Sequence, residues 1–229
     1  MHAKKETVVV SIGGSILLSS EPARTVAGLA RLLRSLSSRI KLFVVVGGGK
    51  TSRFYIELGR ALGMDEDALD WLGIRVTRLN ASVLAAALGR KTNQRPAETV
   101  GEAARLSRRF PIVVMGGTTP GHTTDAVAAM LARKVKAARV VNATSVDGVY
   151  TSDPRSDRKA RRLERLGYAE LIKLTEGYRG FAGPSVVFDN LGARTLARSG
   201  IPLLVVDGRD PRALGGAIKG KRFHGTVVS

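Results

Sequence analysis

The fold is decided by the stretch KLFVVVGGGKTS at residues 41–52. Its first half is almost entirely apolar, and three glycines follow it directly. An unbroken apolar run of this kind is typical of a strand buried on both faces, as in a parallel sheet covered by helices. The three glycines and the polar residues after them form a loop whose bare amides can approach an anion at the start of a helix. The stretch therefore predicts a strand, a phosphate-type loop and a helix, in that order.

The same alternation of buried strand and amphipathic helix runs along the whole chain. Further strands are predicted at residues 7–12, 111–115, 140–143 and 202–206, part of a hairpin at 148–151 and an edge strand at 225–228. Helices are predicted at residues 23–36, 51–62, 69–88, 124–135 and 189–198, and from the cap Asp210 with Pro211 at the first helical position. This order predicts an α/β protein, a three-layer αβα sandwich around a mostly parallel central sheet. No linker rich in Pro, Gly and Ser divides it, so we predict a single domain over residues 1–229.

Composition excludes several classes of protein. Hydrophobic residues make up 44% of the 229 residues and charged residues 24%, as in ordinary globular proteins. The chain contains no cysteine, which excludes disulfide frameworks, thiolate nucleophiles and cysteine-based zinc sites. No apolar run approaches the roughly 18 residues that span a bilayer, and residues 1–7 are mostly polar. We therefore expect a cytoplasmic protein with no membrane partner.

The net charge of +18, from 37 Lys and Arg against 19 Asp and Glu, suggests an anionic partner. The densest basic patch consists of Arg155, Arg158, Lys159, Arg161, Arg162 and Arg165. Such a run is more often a solvated face than a nucleic-acid footprint, and no aromatic residues are interleaved with it for base stacking. A nucleic-acid-binding regulator is therefore kept only as an alternative.

Glycine-rich loops follow three of the predicted strands. They are SIGGS at residues 11–15, GGGKTS at 47–52 and GGTTPGHTTD at 116–125. One glycine pair is usually only a tight turn. Three such loops at strand ends of one sheet favour phosphate binding, because ligands of these sheets lie at the carboxyl ends of the strands.

Two well-known phosphate motifs do not match. A P-loop requires glycine where this chain has Val44, and the dinucleotide fingerprint requires glycine or alanine where it has Ser52. Phosphoryl transfer between two phosphorylated molecules fits the loops better. An acceptor phosphate is already ionised, so the reaction needs positioning and charge neutralisation rather than a general base.

Five strings, taken in order, resemble the archaeal-type uridylate kinases of the amino acid kinase superfamily. They are VSIGGSIL at residues 10–17, VVVGGGKTSRFYIE at 44–57, LDWLGIRVTRLNA at 69–81, MGGTTPGHTTDAVAA at 115–129 and VDGVYTSDP at 146–154. The resemblance implies phosphoryl transfer from ATP to UMP with Mg²⁺, in de novo pyrimidine synthesis, by a homohexamer built as a trimer of dimers. It also implies an acceptor-binding half at about 1–135 and an ATP-binding half at about 136–229. The first two strings are shared with acetylglutamate, carbamate and isopentenyl phosphate kinases, so a relative with another acceptor is the main alternative.

The resemblance also assigns residues to roles. It implies ATP binding by Gly14, Ser15, Gly49, Arg53, Thr144, Ser145, Tyr150 and Asp153. It implies UMP binding by Gly48, Asp70, Thr118, Thr119, Pro120, Gly121, His122, Thr123 and Thr124, with Asp70 on the ribose hydroxyls. Asp125 would orient cationic groups near the transferred phosphoryl group. Many relatives carry lysine at the position of Ser11, and we hypothesise that Lys50 or Arg194 supplies the missing cation.

Several of these residues also have a plainer interpretation. Asp70 would cap a helix that begins at Trp71, and Asp125 would be a helix-terminal carboxylate favoured by the dipole. Ser15 would be another helix cap, and Tyr150 an ordinary strand aromatic. His122 is a loop donor rather than a metal ligand, because no second histidine lies at ligand spacing, and no protein metal site is predicted.

Overall fold

The computed structural model describes residues 5–152, 157–176 and 187–229. Its strands are β1 Glu6–Ile12, β2 Ile40–Val46, β3 Ile112–Met115, β4 Arg139–Thr144, β5 Val149–Tyr150, β6 Arg162–Leu163, β7 Arg165–Leu166, β8 Leu203–Asp207 and β9 Thr226–Val228. Its helices are α1 Gly14–Leu17, α2 Pro22–Leu36, α3 Gly49–Ala61, α4 Glu66–Leu88, α5 Val100–Leu106, α6 Thr124–Val135, α7 Tyr168–Thr175, α8 Asn190–Ser199 and α9 Pro211–Ile218, with a 3-10 turn at Gly89–Lys91. Within these ranges, no helix is both long enough and apolar enough to cross a membrane.

The central sheet has the strand order β3-β2-β1-β4-β8-β9-β7. The first five strands are parallel, β9 runs antiparallel to β8, and β7 is parallel to β9. The mostly parallel sheet is therefore confirmed. The prediction of an edge strand at 225–228 was wrong in its placement, because β9 lies inside the sheet with the short strand β7 outside it. β5 and β6 pair separately as an antiparallel ribbon.

Helices cover both faces of the sheet, as the apolar runs predict. On one face, Val8, Val10 and Ile12 of β1 pack in a core with residues of α2, α4 and α9. On the other face, Val9 packs in a second core with residues of α6 and α8. Because consecutive side chains of a strand point to opposite faces, one apolar strand contributes to both cores. The three-layer architecture is confirmed.

One helix boundary changes the interpretation of a site residue. The helix predicted from residue 69 begins at Glu66, because Asp65 caps it by accepting a hydrogen bond from the Ala68 amide at 2.8 Å. Asp70 therefore lies in the second turn of α4, and its interpretation as a helix cap was wrong. By contrast, the predicted cap Asp210 is confirmed, since its carboxylate accepts from the amide of Arg212 at 2.8 Å.

Candidate active site

The carboxyl ends of the five parallel strands lie side by side at one edge of the sheet. Ile12 pairs with Val46 of β2 and with Ala143 of β4, and Ala143 pairs with Val206 of β8. β3 ends one residue earlier in the register, at Met115. The loops that follow these strands therefore begin at nearly the same level, where ligands of parallel sheets bind.

The first two glycine loops touch through their backbones. The Gly47 amide donates a hydrogen bond to the Ile12 carbonyl at 2.9 Å. A Cβ placed on Gly14 would lie 2.3 Å from the amide nitrogen of Gly49, and Gly49 has a φ of +66°, which residues with side chains rarely adopt. So close an approach requires glycine on both sides. It brings together four residues predicted to hold phosphate groups, namely Gly14, Ser15, Gly48 and Gly49.

Asn80 of α4 holds the second loop by its backbone. The buried amide of this side chain donates to the carbonyls of Gly47 and Gly48, at 2.9 and 3.2 Å. Lys50 and Arg53, the cations predicted beside this loop, lie exposed at the start of α3. Asn80 thus fixes the backbone of the loop, and Lys50 and Arg53 stay exposed beside it.

The third loop is fastened to the same helix. The hydroxyl of Thr77 accepts a hydrogen bond from the Gly117 amide at 2.7 Å. Further along, the carboxylate of Asp70 accepts from the Gly121 amide at 2.6 Å. The carboxylate predicted to bind the UMP ribose therefore contacts the loop predicted to bind the rest of UMP.

Arg78 of α4 is a further link to the third loop. Its Nε donates to the Gly117 carbonyl and its Nη2 to the Thr118 carbonyl, both at 3.2 Å. Its Nη1 forms an ion pair with Glu98 at 2.9 Å, and Arg95 pairs with the same carboxylate at 3.0 Å. The hydrogen bond from Arg95 and the charge of Arg78 lower the pKa of Glu98. Glu98 therefore stays ionised and holds Arg78 in place.

The hydroxyl-rich end of the third loop has its own contacts. Thr119 Oγ1 and His122 Nδ1 form a hydrogen bond of 3.0 Å across the half-buried Pro120. Thr123 caps α6 and donates its hydroxyl proton to Asp189, the cap of α8. This part of the loop is therefore tied to two helix starts.

Thr124, the last threonine of the loop, approaches the second glycine loop. A Cβ built on Gly47 would lie 3.4 Å from its hydroxyl oxygen. The acceptor loop and the triple-glycine loop are thus neighbours. All seven residues predicted at 118–124 belong to this one segment at the sheet edge.

Asp125 links α6 to the end of β1. Ser11 Oγ donates to Asp125 Oδ1 at 3.1 Å, although the two residues lie far apart in sequence. Burial, together with the nearby carboxylate of Asp189, raises the pKa of Asp125 to about 7. Its carboxyl group therefore changes charge near neutral pH, which is common for groups at functional sites.

The ends of β4 and β8 form the other side of this sheet edge. The Gly208 amide donates to the carbonyl of Thr144 at 2.9 Å. The guanidinium of Arg209 donates to the Ser145 carbonyl at 3.0 Å and pairs with Asp207 at 2.7 Å. Thr144 and Ser145, which are predicted to bind ATP, are thus held by their main-chain carbonyls. Their side-chain hydroxyls take no part in these contacts.

Tyr150 is tied to the same region by its hydroxyl, which donates to Asp147 at 2.7 Å. His224 Nε2 contacts the other oxygen of Asp147 at 2.9 Å. Although burial alone would raise it, these hydrogen bonds lower the pKa of Asp147. The hydroxyl proton of Tyr150 is therefore already used, and its ring is the larger part of the side chain left for a ligand. Asp153, the other residue predicted here, lies outside the described residues.

Arg194 lies on α8 and is engaged by neighbouring side chains. Its Nε donates to Asn190 at 2.6 Å, and its Nη2 pairs with Glu176 at 3.0 Å. Within the described part of the chain, neither Arg194 nor Lys50 contacts Asp125 through a hydrogen bond or ion pair. The hypothesis that one of them replaces the missing lysine stays a prediction.

The basic patch at residues 155–165 divides into two kinds of residue. Arg162 is largely covered, donates to the Gly225 carbonyl at 3.2 Å and lies 4.0 Å from Asp147, so its charge serves the fold. Arg155 lies outside the described residues, and the other four basic side chains are exposed. This distribution agrees with a solvated face.

Sequence analysis did not identify Thr77, Arg78, Asn80 and Asp189. The first three lie in the string at 69–81, where polar residues interrupt an otherwise apolar helix. No spacing of residue types marks them, because the groups that they hold are backbone amides and carbonyls of other loops. Asp189 was predicted only as the start of a helix.

Comparisons with known proteins agree with this geometry. The family model described as amino acid kinase family matches residues 6–207. A uridylate kinase of Methanoculleus marisnigri is 48% identical over 96% of this chain and 94% of its own length. The crystal structure of a uridylate kinase from Archaeoglobus fulgidus has a TM-score of 0.87 at 42% identity, over 97% of this chain and 99% of that chain. A UMP kinase structure from Bacillus anthracis, at 20% identity, shares the fold with a TM-score of 0.80 over 98% of this chain and 96% of that chain.

Proposed function

Because this chain belongs to the amino acid kinase family, we propose that it is a uridylate kinase, which transfers the γ-phosphoryl group of ATP to UMP and yields UDP and ADP. One observation carries the proposal: the loops of Gly14 and Gly49 touch at the sheet edge beside the loop that Asp70 holds. Two adjoining phosphate-type loops suit a reaction between two phosphorylated molecules. Relatives named uridylate kinase, similar over nearly the full length, favour UMP as the acceptor. The reaction would belong to de novo pyrimidine nucleotide synthesis in the cytoplasm.

The acceptor would lie in the half of the chain at about 1–135. Gly48 and the segment 118–124 would bind the UMP phosphate and base, and the Asp70 carboxylate would accept hydrogen bonds from the ribose hydroxyls. Asp70 is suited to this because ribose hydroxyls are donors, whereas the surrounding glycine amides favour anions. The Gly121 amide already satisfies one Asp70 oxygen and keeps the carboxylate against the loop.

The adenosine of the donor would lie in the half at about 136–229, and its phosphates would reach the glycine loops of the other half. Gly14, Ser15 and Gly49 would hold the ATP phosphates, with Arg53 at the start of α3. Thr144, Ser145 and Tyr150 would receive the adenosine, together with Asp153. The ring of Tyr150 suits stacking on a base, because Asp147 and His224 hold its hydroxyl end in place.

Catalysis in this arrangement would rest on positioning and charge. The attacking UMP phosphate is ionised, so no side chain has to remove a proton. The glycine amides would neutralise charge on the oxygens of the transferred group, and Lys50 or Arg194 would supply a cation where Ser11 replaces lysine. Asp125 would orient such a cation through its carboxylate.

Mg²⁺ would accompany ATP. Among residues 5–152, 157–176 and 187–229, no group of three His, Asp or Glu side chains could hold a metal ion by itself. In kinases Mg²⁺ is usually bound mainly through phosphate oxygens, and we propose the same here. When bound, it would neutralise charge on the phosphates.

The test of this proposal is a panel of acceptors assayed for ADP release with ATP and with GTP. We expect UMP to give the highest kcat/KM among UMP, CMP, isopentenyl phosphate, acetylglutamate and carbamate. A preference for another acceptor would move the chain to a different branch of its family. Salt-sensitive nucleic-acid binding at physiological ionic strength, with no kinase activity, would favour the regulator instead.

Asp70→Asn provides the matching variant. We expect it to raise the KM for UMP by about tenfold while the KM for ATP stays within about twofold, because an amide accepts ribose hydrogen bonds less strongly than a carboxylate. Asp67→Asn, on the exposed first turn of the same helix, is the control and should leave both constants unchanged. Equal UMP constants in the two variants would remove Asp70 from the acceptor site.

We also propose that the homohexamer, a trimer of dimers, uses the outer face of α3 and α4 for its pairwise contact. This face exposes an unusual set of large apolar side chains: Phe54, Tyr55, Leu58, Leu62, Met64, Trp71, Leu79 and Val83. A concentration of large exposed apolar side chains on neighbouring helices favours an association surface, and a two-fold axis lets the same surface cover itself.

Leu58→Glu is therefore expected to reduce the native mass from six chains to a smaller assembly, measured by light scattering or native mass spectrometry. A buried charge at such a contact would be uncompensated and would weaken it strongly. Leu191→Glu is the matched control, because Leu191 on α8 is 47% exposed and Leu58 is 46% exposed. If both variants keep the wild-type mass, the α3–α4 face is not the contact.

A further inference from the structure

Arg78 has an unusual set of acceptors for a helix arginine. It holds the carbonyls of Gly117 and Thr118, which are consecutive in the third loop, and two further N–H donors go to the carboxylate and the carbonyl of Glu98. The side chain is only 23% exposed. Four hydrogen bonds from the five N–H donors of this guanidinium therefore go to the protein, so most of its donor capacity serves the fold.

The two carbonyls decide where the neighbouring amides point. The peptide bonds here are trans, so each carbonyl is antiparallel to the N–H group of the same peptide unit. Because Gly117 and Thr118 turn their carbonyls toward Arg78, the amides of Thr118 and Thr119 turn away from it. Within the described residues neither amide donates a hydrogen bond to the protein, whereas the preceding Gly117 amide donates to Thr77.

We propose that Arg78 is a positioning residue that orients the amides of Thr118 and Thr119 as a cradle for the phosphate of the acceptor. This inference rests on the proposed function and names the element that recognises the acceptor phosphate. Adjacent main-chain amides that point the same way form an anion-binding concavity. Glu98 takes part by pairing with the guanidinium from the opposite side.

The geometry requires arginine rather than any cation. The planar guanidinium presents donors in a rigid fork that reaches two neighbouring carbonyls at once, whereas an ammonium is a point charge on a flexible stem. Arg78→Lys keeps the charge but loses the fork. It therefore separates loop positioning from a general electrostatic effect on the anionic substrate.

The test compares UMP with uridine, which lacks the phosphate, as ligands of wild type, Arg78→Lys and Arg78→Met. We expect both variants to weaken UMP binding about tenfold or more, with binding of uridine, measured as a competitive inhibitor, within about twofold of wild type. Arg75→Met, exposed on the same helix, is the control and should change neither. Equal losses for UMP and uridine, or normal UMP binding by Arg78→Lys, would overturn the inference.

A second measurement does not depend on UMP being the acceptor. Hydrogen exchange of the segment 116–121 is followed with and without inorganic phosphate. Phosphate should slow exchange of this segment in wild type and have a much smaller effect in Arg78→Met. Equal protection in both proteins would reject the role of Arg78. Protection in wild type without UMP kinase activity would instead reject the proposed function and leave the phosphate cradle in place.

Discussion

Gly14→Ala is expected to lower kcat/KM for phosphoryl transfer by about 100-fold. The added methyl group would lie 2.3 Å from the Gly49 amide nitrogen and 2.6 Å from the Gly47 carbonyl oxygen. Both are backbone atoms, so neither can rotate away as the end of a side chain would. The two loops must separate, and a displacement of about 1 Å in positioned groups is enough for a loss of this size. Steady-state kinetics with ATP and UMP measures it.

Gly28→Ala is the matched control. Gly28 lies in α2, and nothing stands within 4 Å of a Cβ built on it. Alanine is favoured over glycine inside a helix by up to about 1 kcal/mol, so this variant should keep full activity and equal or higher stability. Wild-type kcat/KM in Gly14→Ala would mean that the two loops need not touch, and the cradle for two phosphorylated molecules would be rejected.

The parallel core of the fold was predictable because its signals are local. The run at 41–46 and the glycines after it predict a buried strand and a turn without reference to any other part of the chain. Strand order is not local. The segment 225–228 is recognisable as a strand. Its place in the sheet, between β8 and β7, depends on pairing with distant residues. β6 and β7 have two residues each, too few to produce a pattern.

The candidate site was predictable to a similar degree and for the same reason. Glycines and hydroxyls at strand ends mark the loops directly. Asn80, Thr77 and Arg78 hold those loops, but they act on backbone groups 32 to 40 residues away in sequence. Backbone carbonyls and amides are present in every residue, so no spacing of residue types reveals such contacts. Only the fold shows which helix lies behind which loop.

Asp125→Asn is expected to stabilise the protein and to inactivate it. The amide keeps the shape of the side chain and an oxygen that can accept from Ser11, but it carries no charge. Removing a carboxylate that orients a cation at the transferred phosphoryl group should lower kcat by about 100-fold. A carboxylate that served only the helix dipole would instead cost some stability when replaced, and would leave kcat unchanged.

The gain in stability depends on pH, and its sign follows from the raised pKa of Asp125. The ordinary pKa of about 3.8 applies to the unfolded chain, whereas burial raises the pKa to about 7 in the folded protein. Between these two values the folded state binds more protons than the unfolded state, so the free energy of unfolding falls as the pH rises. The loss is complete above about pH 7.

The side chain in Asp125→Asn does not titrate, so the variant lacks this pH dependence. The difference in the free energy of unfolding between the two proteins should therefore grow as the pH rises. At pH 4 the unfolding free energies of wild type and Asp125→Asn should agree, because the wild-type carboxyl is neutral in the folded protein. At pH 8 the variant should be more stable by about 2–4 kcal/mol, as a shift of roughly three pKa units implies. Denaturant titrations at the two pH values measure this, with the exposed Asp67→Asn as a control that should differ from wild type by less than about 1 kcal/mol at both. If Asp125→Asn were less stable than wild type at pH 8, the buried carboxylate would be compensated by a cation that the folded protein supplies, and the site would already hold its missing charge before any substrate arrives.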